Sequence, residues 1–153
     1  TPDRILKKPG PLTEEEWEIM KEHPLHGGKI IDSIAQSVKI SDPFVHQYLK
    51  TTREIVLYHH EWYDGSGYPF GLKGEEIPFS ARIAAVCDVY DSLRSKRPYK
   101  KPYTHAEAVA QILSECGTHF DPQICQAFEE LADQFDRVWH EHSQEEQKIP
   151  NTA

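Results

Sequence analysis

The chain has 153 residues, of which 38% are hydrophobic and 10% aromatic, enough for one domain around one core. Seventeen basic against 25 acidic side chains give a net charge of −8, which argues against a general nucleic-acid or membrane-surface binder. No apolar run is long enough to cross a membrane, and no basic start leads into an apolar signal segment.

The first eleven residues, TPDRILKKPGP, read as an extended loop, because proline disfavours helix at and before its own position. Thr13 and Glu16 form a capping box that opens a helix, and His23-Pro24 ends or kinks it. A second helix follows from about Leu25 to Ser37, with Ile30, Ile31 and Ile34 on one stripe. Asp42-Pro43 starts a third, which runs to His59-His60. The segment from Trp62 to Phe79 carries Gly65, Gly67, Gly71 and Gly74 and is too glycine-rich for a helix. Ser80 is expected to cap the next helix, ARIAAVCDVYDSL. Thr104 with Glu107 opens a fifth helix, which closes at Gly117, and Asp121-Pro122 opens a sixth. The polar tail from His142 is expected to fray, so the domain is expected to span 1–141 and the tail 142–153. The sum is an all-α domain of about six helices.

Five features can carry chemistry. His59 and His60 are adjacent, so on a helix they project about 100° apart and can reach two neighbouring ions. Alone, such a pair is more often a surface or helix-end feature. Asp88 lies among Ala84, Ala85, Val86, Cys87 and Val89, which places it toward the core. A carboxylate there needs a cation, a metal or a hydrogen-bond partner, and Asp91 shares its face one turn on. His23 ends a helix, where its ring can lean into a cleft, and His26 is a weaker neighbour. The stretch DGSGYP, Asp64 to Pro69, is either a binding loop or a packed structural one. Five basic residues crowd into RSKRPYKK, where Arg97 and Lys100 can receive a phosphate, although most charge runs are solvated loops. Together these features describe imidazoles and a carboxylate for metal ions, with cations alongside for phosphate. The three cysteines, Cys87, Cys116 and Cys125, are odd in number and widely spaced, and read as reduced, buried thiols of a cytoplasmic protein.

The stretches PDRILKKPGPLTEEEWEIMKEHP, HHEWYDGSGYPFGLKGEEIPFSARIAAVCDVYDSLRSKRPYK and GTHFDP resemble the HD-GYP family of metal-dependent phosphodiesterases that cleave cyclic di-GMP. The resemblance covers roughly Pro2 to Leu131. It implies a helical phosphohydrolase fold, with His23, His59, His60 and Asp88 as metal ligands. Asp91, Arg97 and Lys100 are implied to face the cyclic dinucleotide. Gly67, Tyr68 and Pro69 are the GYP element itself, used in the family for loop architecture and contact with diguanylate cyclases. Glu61, Asp64 and Gly65 belong to the same signature, and Glu61 is expected to support the ligands.

The chain departs from the family at one point. It contains no His-Asp dipeptide, and the HDxGK motif belongs just upstream of the stretch that here begins at Pro2. The family's catalytic His, Asp and Lys are therefore expected upstream of Thr1, and no catalytic residue is assigned within the chain. The expectation is an N-terminally truncated, inactive or impaired piece of a bacterial signalling phosphodiesterase that yields pGpG or GMP. The intact site would use two or three ions of iron, manganese, zinc or nickel, and this chain at most one. The alternative is a non-catalytic module that binds cyclic di-GMP or docks a diguanylate cyclase. A core left partly uncovered would favour dimerisation or domain swapping.

Overall fold

The computed structural model describes residues 1–6, 8–37, 42–95 and 101–146. They form seven α-helices: α1 (Asp3–Leu6), α2 (Glu14–Lys21), α3 (His23–Ser37), α4 (Pro43–Tyr58), α5 (Phe79–Arg94), α6 (His105–Ser114) and α7 (Pro122–Glu146). One 3₁₀ turn at Gly74–Glu76 interrupts the loop between α4 and α5. Among the described residues there is no strand, and the one β-bridge is an isolated one between Cys116 and Phe120. The all-α class follows from the sequence, but α1 does not. Its single turn forms on the Pro2 carbonyl, which accepts from the Ile5 and Leu6 N–H groups, and burial of Ile5 anchors it. The segment expected to be an extended loop from Thr1 is thus helical from Asp3, and the exposed Thr1 hydroxyl reaches back to the Met20 sulfur of α2 at 4.0 Å.

Local signals set most helix starts. Thr13 and Glu16 complete their capping box on α2, and Thr104 and Glu107 do the same on α6. Asp42 accepts from the Phe44 N–H, and Pro43 takes the first position of α4. The expected cap at Ser80 is a correction. α5 begins two residues earlier, at Phe79 after Pro78, and the Ser80 hydroxyl instead donates to Glu54 on α4 at 3.0 Å. The expected fraying point at His142 also moves, since α7 continues to Glu146. The tail residues 147–153 lie outside the described residues.

The core lies between α5, α6 and α7. Ala85, Val86 and Tyr90 of α5 meet Ala108 and Ile112 of α6, with Phe120, Ile124 and Phe128 from the segment that enters and forms α7. Two ion pairs lock α5 onto the α7 side. Arg82 pairs with buried Asp121, whose carboxylate also accepts from the Gln123 N–H. Arg94 pairs with Asp136 at 2.7 Å, donates to the Tyr90 hydroxyl and lies 4.3 Å over the Trp139 ring. The α3–α4 hairpin packs on this unit through α4. Arg53 forks onto Asp32 to tie the hairpin together, with contacts of 2.6 and 3.2 Å.

Cys116 and Cys125 are joined by a disulfide, which corrects the expectation of three reduced thiols. Their Cα atoms are 6.1 Å apart because the Gly117 turn (φ +81°) folds the α6–α7 connection back on itself. Cys87 is free and exposed, not buried. No helix among the described residues is long and apolar enough to cross a membrane.

Candidate metal centre

Two close helices bring three histidines together. His23 is the first residue of α3, while His59 caps the end of α4 and His60 follows it. The approach depends on Gly27 and Gly28. A Cβ on Gly28 would sit 2.5 Å from Leu57 Cδ2, and one on Gly27 would sit 2.5 Å from Val56 Cγ1. The glycine pair therefore lets the first turns of α3 lie against the last turn of α4.

The imidazole nitrogens of His23, His59 and His60 lie within 4.8 Å of one another. His23 Nδ1 lies 2.7 Å from the Met20 carbonyl, and His59 Nδ1 lies 2.8 Å from the Ile55 carbonyl. A carbonyl only accepts, so both Nδ1 atoms donate, which fixes the rings and leaves Nε2 as the nitrogen turned toward an ion. His60 Nε2 lies 3.1 Å from His23 Nε2. Burial, then the neighbouring His59, His23 and His119 rings, depress the His60 pKa to about 3, so this imidazole is neutral at pH 7.

These residues fit a divalent transition-metal ion. Two nitrogens bound at about 2.1 Å and about 90–110° apart are separated by about 3.0–3.4 Å. The His23–His60 spacing of 3.1 Å falls in that range. Neutral imidazoles oriented by backbone carbonyls are the ordinary donors for such ions.

The loop after His60 is built around a buried carboxylate. Glu61 is 2% exposed and accepts from the backbone N–H groups of Phe70 (2.7 Å) and Leu72 (3.0 Å). Gly67 crosses directly over the loop's own start: an added Cβ would lie 2.2 Å from the Trp62 nitrogen and 2.6 Å from Glu61 backbone carbon. Tyr68 donates its N–H to the His60 carbonyl and stacks on the His60 ring at 4.8 Å. A cis peptide joins Tyr68 to Pro69. Burial, aided by the negative charge of Asp88, pushes the Tyr68 pKa up to about 12. Asp64 accepts from both the N–H and the hydroxyl of Ser66, and these bonds hold its carboxyl below the usual range. Gly65 takes φ +90° beside it.

His119 carries a role that the sequence did not assign. Its ring stacks between Trp62 (4.2 Å) and Phe120 (4.0 Å), and its carbonyl accepts from the Tyr63 N–H. The Thr118 carbonyl accepts from the Asp64 N–H. The α6–α7 connection is thus a second support under the loop. A histidine in GTHFDP between two aromatic neighbours in space has no signature in a single sequence.

Asp88 is exposed, which corrects the expectation that it points into the core. Its apolar neighbours in sequence are not its neighbours in space, since buried Val86 lies about 200° round the helix. Asp88 lies outside the three-histidine group. Asp91 is also exposed and lines a 520 Å³ cleft between α5 and α7 with Tyr90, Ser95 and Trp139. His26 is exposed and lies 4.0 Å from Glu22 on the hairpin surface. Arg97 and Lys100 lie outside the described residues.

The HD domain family model matches residues 1–124. The chain belongs to the HD domain family. Among the relatives of this HD domain, a probable cyclic di-GMP phosphodiesterase of Vibrio cholerae is 46% identical over 127 residues, covering 83% of this chain and 28% of that protein. A cyclic di-GMP phosphodiesterase of Thermotoga maritima is 43% identical over 145 residues, covering 95% and 37%. A 3′3′-cGAMP-specific phosphodiesterase of V. cholerae is 38% identical over 134 residues, covering 88% and 24%. The chain thus spans about a quarter to just over a third of these relatives' lengths. The crystal structure of a cyclic GMP-AMP-specific phosphodiesterase of V. cholerae aligns with a TM-score of 0.53 at 20% identity. It covers 96% of this chain and 36% of that one, and it supports the helical HD fold alone.

Proposed function

We propose that this HD domain contributes the imidazole half of a metal-dependent phosphodiesterase site for cyclic di-GMP. The observation that carries the reading is the convergence of His23, His59 and His60 from two helices, 37 residues apart in sequence at the widest. Relatives named as cyclic di-GMP phosphodiesterases supply the substrate class.

A divalent ion held there supplies Lewis-acid polarisation of a phosphoryl oxygen. The chain's own residues do the rest. His23 and His59, each fixed through Nδ1 by a backbone carbonyl, turn Nε2 toward the ion, and His60 completes the triad. In this reading Asp88, whose charge reaches Tyr68, is the carboxylate ligand that joins the same centre, and Asp91, Arg97 and Lys100 are the residues for the phosphodiester. Tyr68 covers the His60 ring and keeps water from that side. The role in bacterial second-messenger signalling, and contact of the Gly67–Pro69 element with a diguanylate cyclase, belong to the same reading.

A second reading rests on Asp88. With only three ligands meeting among the described residues, the domain would bind the dinucleotide without cleaving it. Incubation with cyclic di-GMP and manganese, followed by chromatography for pGpG and GMP, separates the two. Turnover abolished by chelation and by His60→Ala supports the hydrolase. Saturable binding without turnover supports the binding module. Turnover unaffected by His60→Ala contradicts the assignment of the site.

A further inference from the structure

Beside the histidine triad lies an open cleft of 680 Å³ whose α2 side has no role in the proposed metal chemistry. α2 forms one side. Glu14, Trp17, Glu18 and Lys21 recur at i, i+3, i+4 and i+7 on that helix, on one stripe, and all four line the cleft together with Glu15; the Lys21 ammonium pairs with the Glu18 carboxylate. Trp62 and Tyr68 of the glycine-rich loop form the other side. Trp17 is 49% exposed and Trp62 38% exposed, so two large indoles stand open across one gap. Trp62 is held by its stack on His119, and Tyr68 by its stack on His60. Through Tyr68 the cleft and the metal centre share a wall.

The chemistry of the lining is selective. Flat aromatic walls suit a flat ring system, and every nucleobase has a face that stacks on them. Guanine presents two adjacent donors, N1–H and N2–H, on one edge, which a carboxylate accepts together. Its O6 and N7 are acceptors, which an ammonium satisfies. Adenine offers a single exocyclic donor beside a bare acceptor nitrogen, and that nitrogen faces a carboxylate unfavourably. The volume lies within the range of small-molecule sites. We infer that this cleft is the guanine-base subsite of the phosphodiester centre. Trp17 and Trp62 are the stacking platforms, Glu14 reads the Watson–Crick edge, and the Lys21 ammonium, paired with Glu18, turns its remaining donors to O6 and N7. The inference rests on the proposed phosphodiesterase reading and adds its base selectivity.

The test is tryptophan-fluorescence titration of the full chain in EDTA with GMP, IMP and AMP, which share one phosphate and differ only in the base. GMP is expected to quench saturably, about tenfold more tightly than AMP, with IMP between them because it lacks the N2 amino group. The Glu14→Gln/Glu18→Gln double variant should erase the preference, and Trp17→Ala should remove saturation. Trp17 is half exposed, so its replacement is expected to leave the helical circular-dichroism spectrum unchanged. Equal affinities, no saturation, or indifference to these variants would overturn the inference. So would saturation by N-acetylarginine amide in place of GMP, which would assign the aromatic, acidic cleft to a cationic partner segment. A parallel zinc titration of the wild type and His60→Ala keeps the two readings apart. Guanine preference without zinc binding supports the base site and refutes the metal centre. Zinc binding without guanine preference does the reverse.

Discussion

The Glu61 carboxylate lies buried beneath its own loop and accepts the Phe70 N–H at 2.7 Å. With the second bond, from Leu72, it closes a ring of chain that carries Gly67, Tyr68 and Pro69 across the face of His60. One side chain thus connects the residue following the histidine pair to the far end of the loop.

Replacing it should therefore damage more than the loop. Glu61→Ala orphans two backbone donors and is expected to cost about 2–4 kcal/mol, since bonds to charged acceptors and buried unsatisfied donors are each worth one to a few. Thermal melting should show a fall of about 5–15 °C for a chain of this size. Glu61→Gln keeps one acceptor but aims an amide donor at another donor, so its loss should approach that of alanine.

Gly67 and Gly74 offer a matched contrast. At Gly67 an added methyl meets backbone atoms 2.2 and 2.6 Å away, which no rotamer change relieves. Gly67→Ala should displace the loop, lift Tyr68 from His60 and weaken zinc binding by about tenfold or more. At Gly74 nothing lies within 4 Å, and only φ +58° opposes a side chain. Gly74→Ala should cost about 1–2 kcal/mol and leave the zinc affinity unchanged. Equal effects on zinc binding would contradict the geometry.

The Arg94–Asp136 pair sets an acid limit. The Arg94 hydrogen bond, reinforced by its charge and by His105 and His140, holds the Asp136 carboxyl below its ordinary value of 3.8. A depressed folded-state pKa means the contribution is complete above the unfolded value and disappears as pH falls through the folded one. Melting temperatures of the wild type and Asp136→Asn should differ at pH 6, and the difference should shrink only as pH falls below 3.8 and the folded carboxyl takes up its proton. Arg94→Met removes a 6%-exposed cation and should leave a destabilised protein at both pH values.

The disulfide is checked by counting thiols. Denatured without reductant, the chain should titrate one thiol, Cys87, and after reduction three. Three thiols in both states would contradict the Cys116–Cys125 bond.

The sequence was most informative where the determinant is local. Thr13–Glu16 and Thr104–Glu107 are three residues apart and act through their own backbone, so the capping boxes could be read directly. Asp88 was misread because linear neighbours on a helix point in different directions. His23 meeting His60 is a contact across 37 residues; their residue types suggested a shared metal site, and the family resemblance assigned them to it. The His119 stack and the cleft between Trp17 and Trp62 depend on tertiary packing between segments that share no pattern, so neither could be read in advance.

Whether three imidazoles form a metal centre in this chain is decided most directly by elemental analysis. The sample is the purified, unsupplemented protein after exhaustive dialysis, beside His60→Ala. About one transition-metal ion per chain, lost in the variant while the helical circular-dichroism spectrum persists, is the predicted result. A metal-free wild type, or an ion retained in full by His60→Ala, would contradict it.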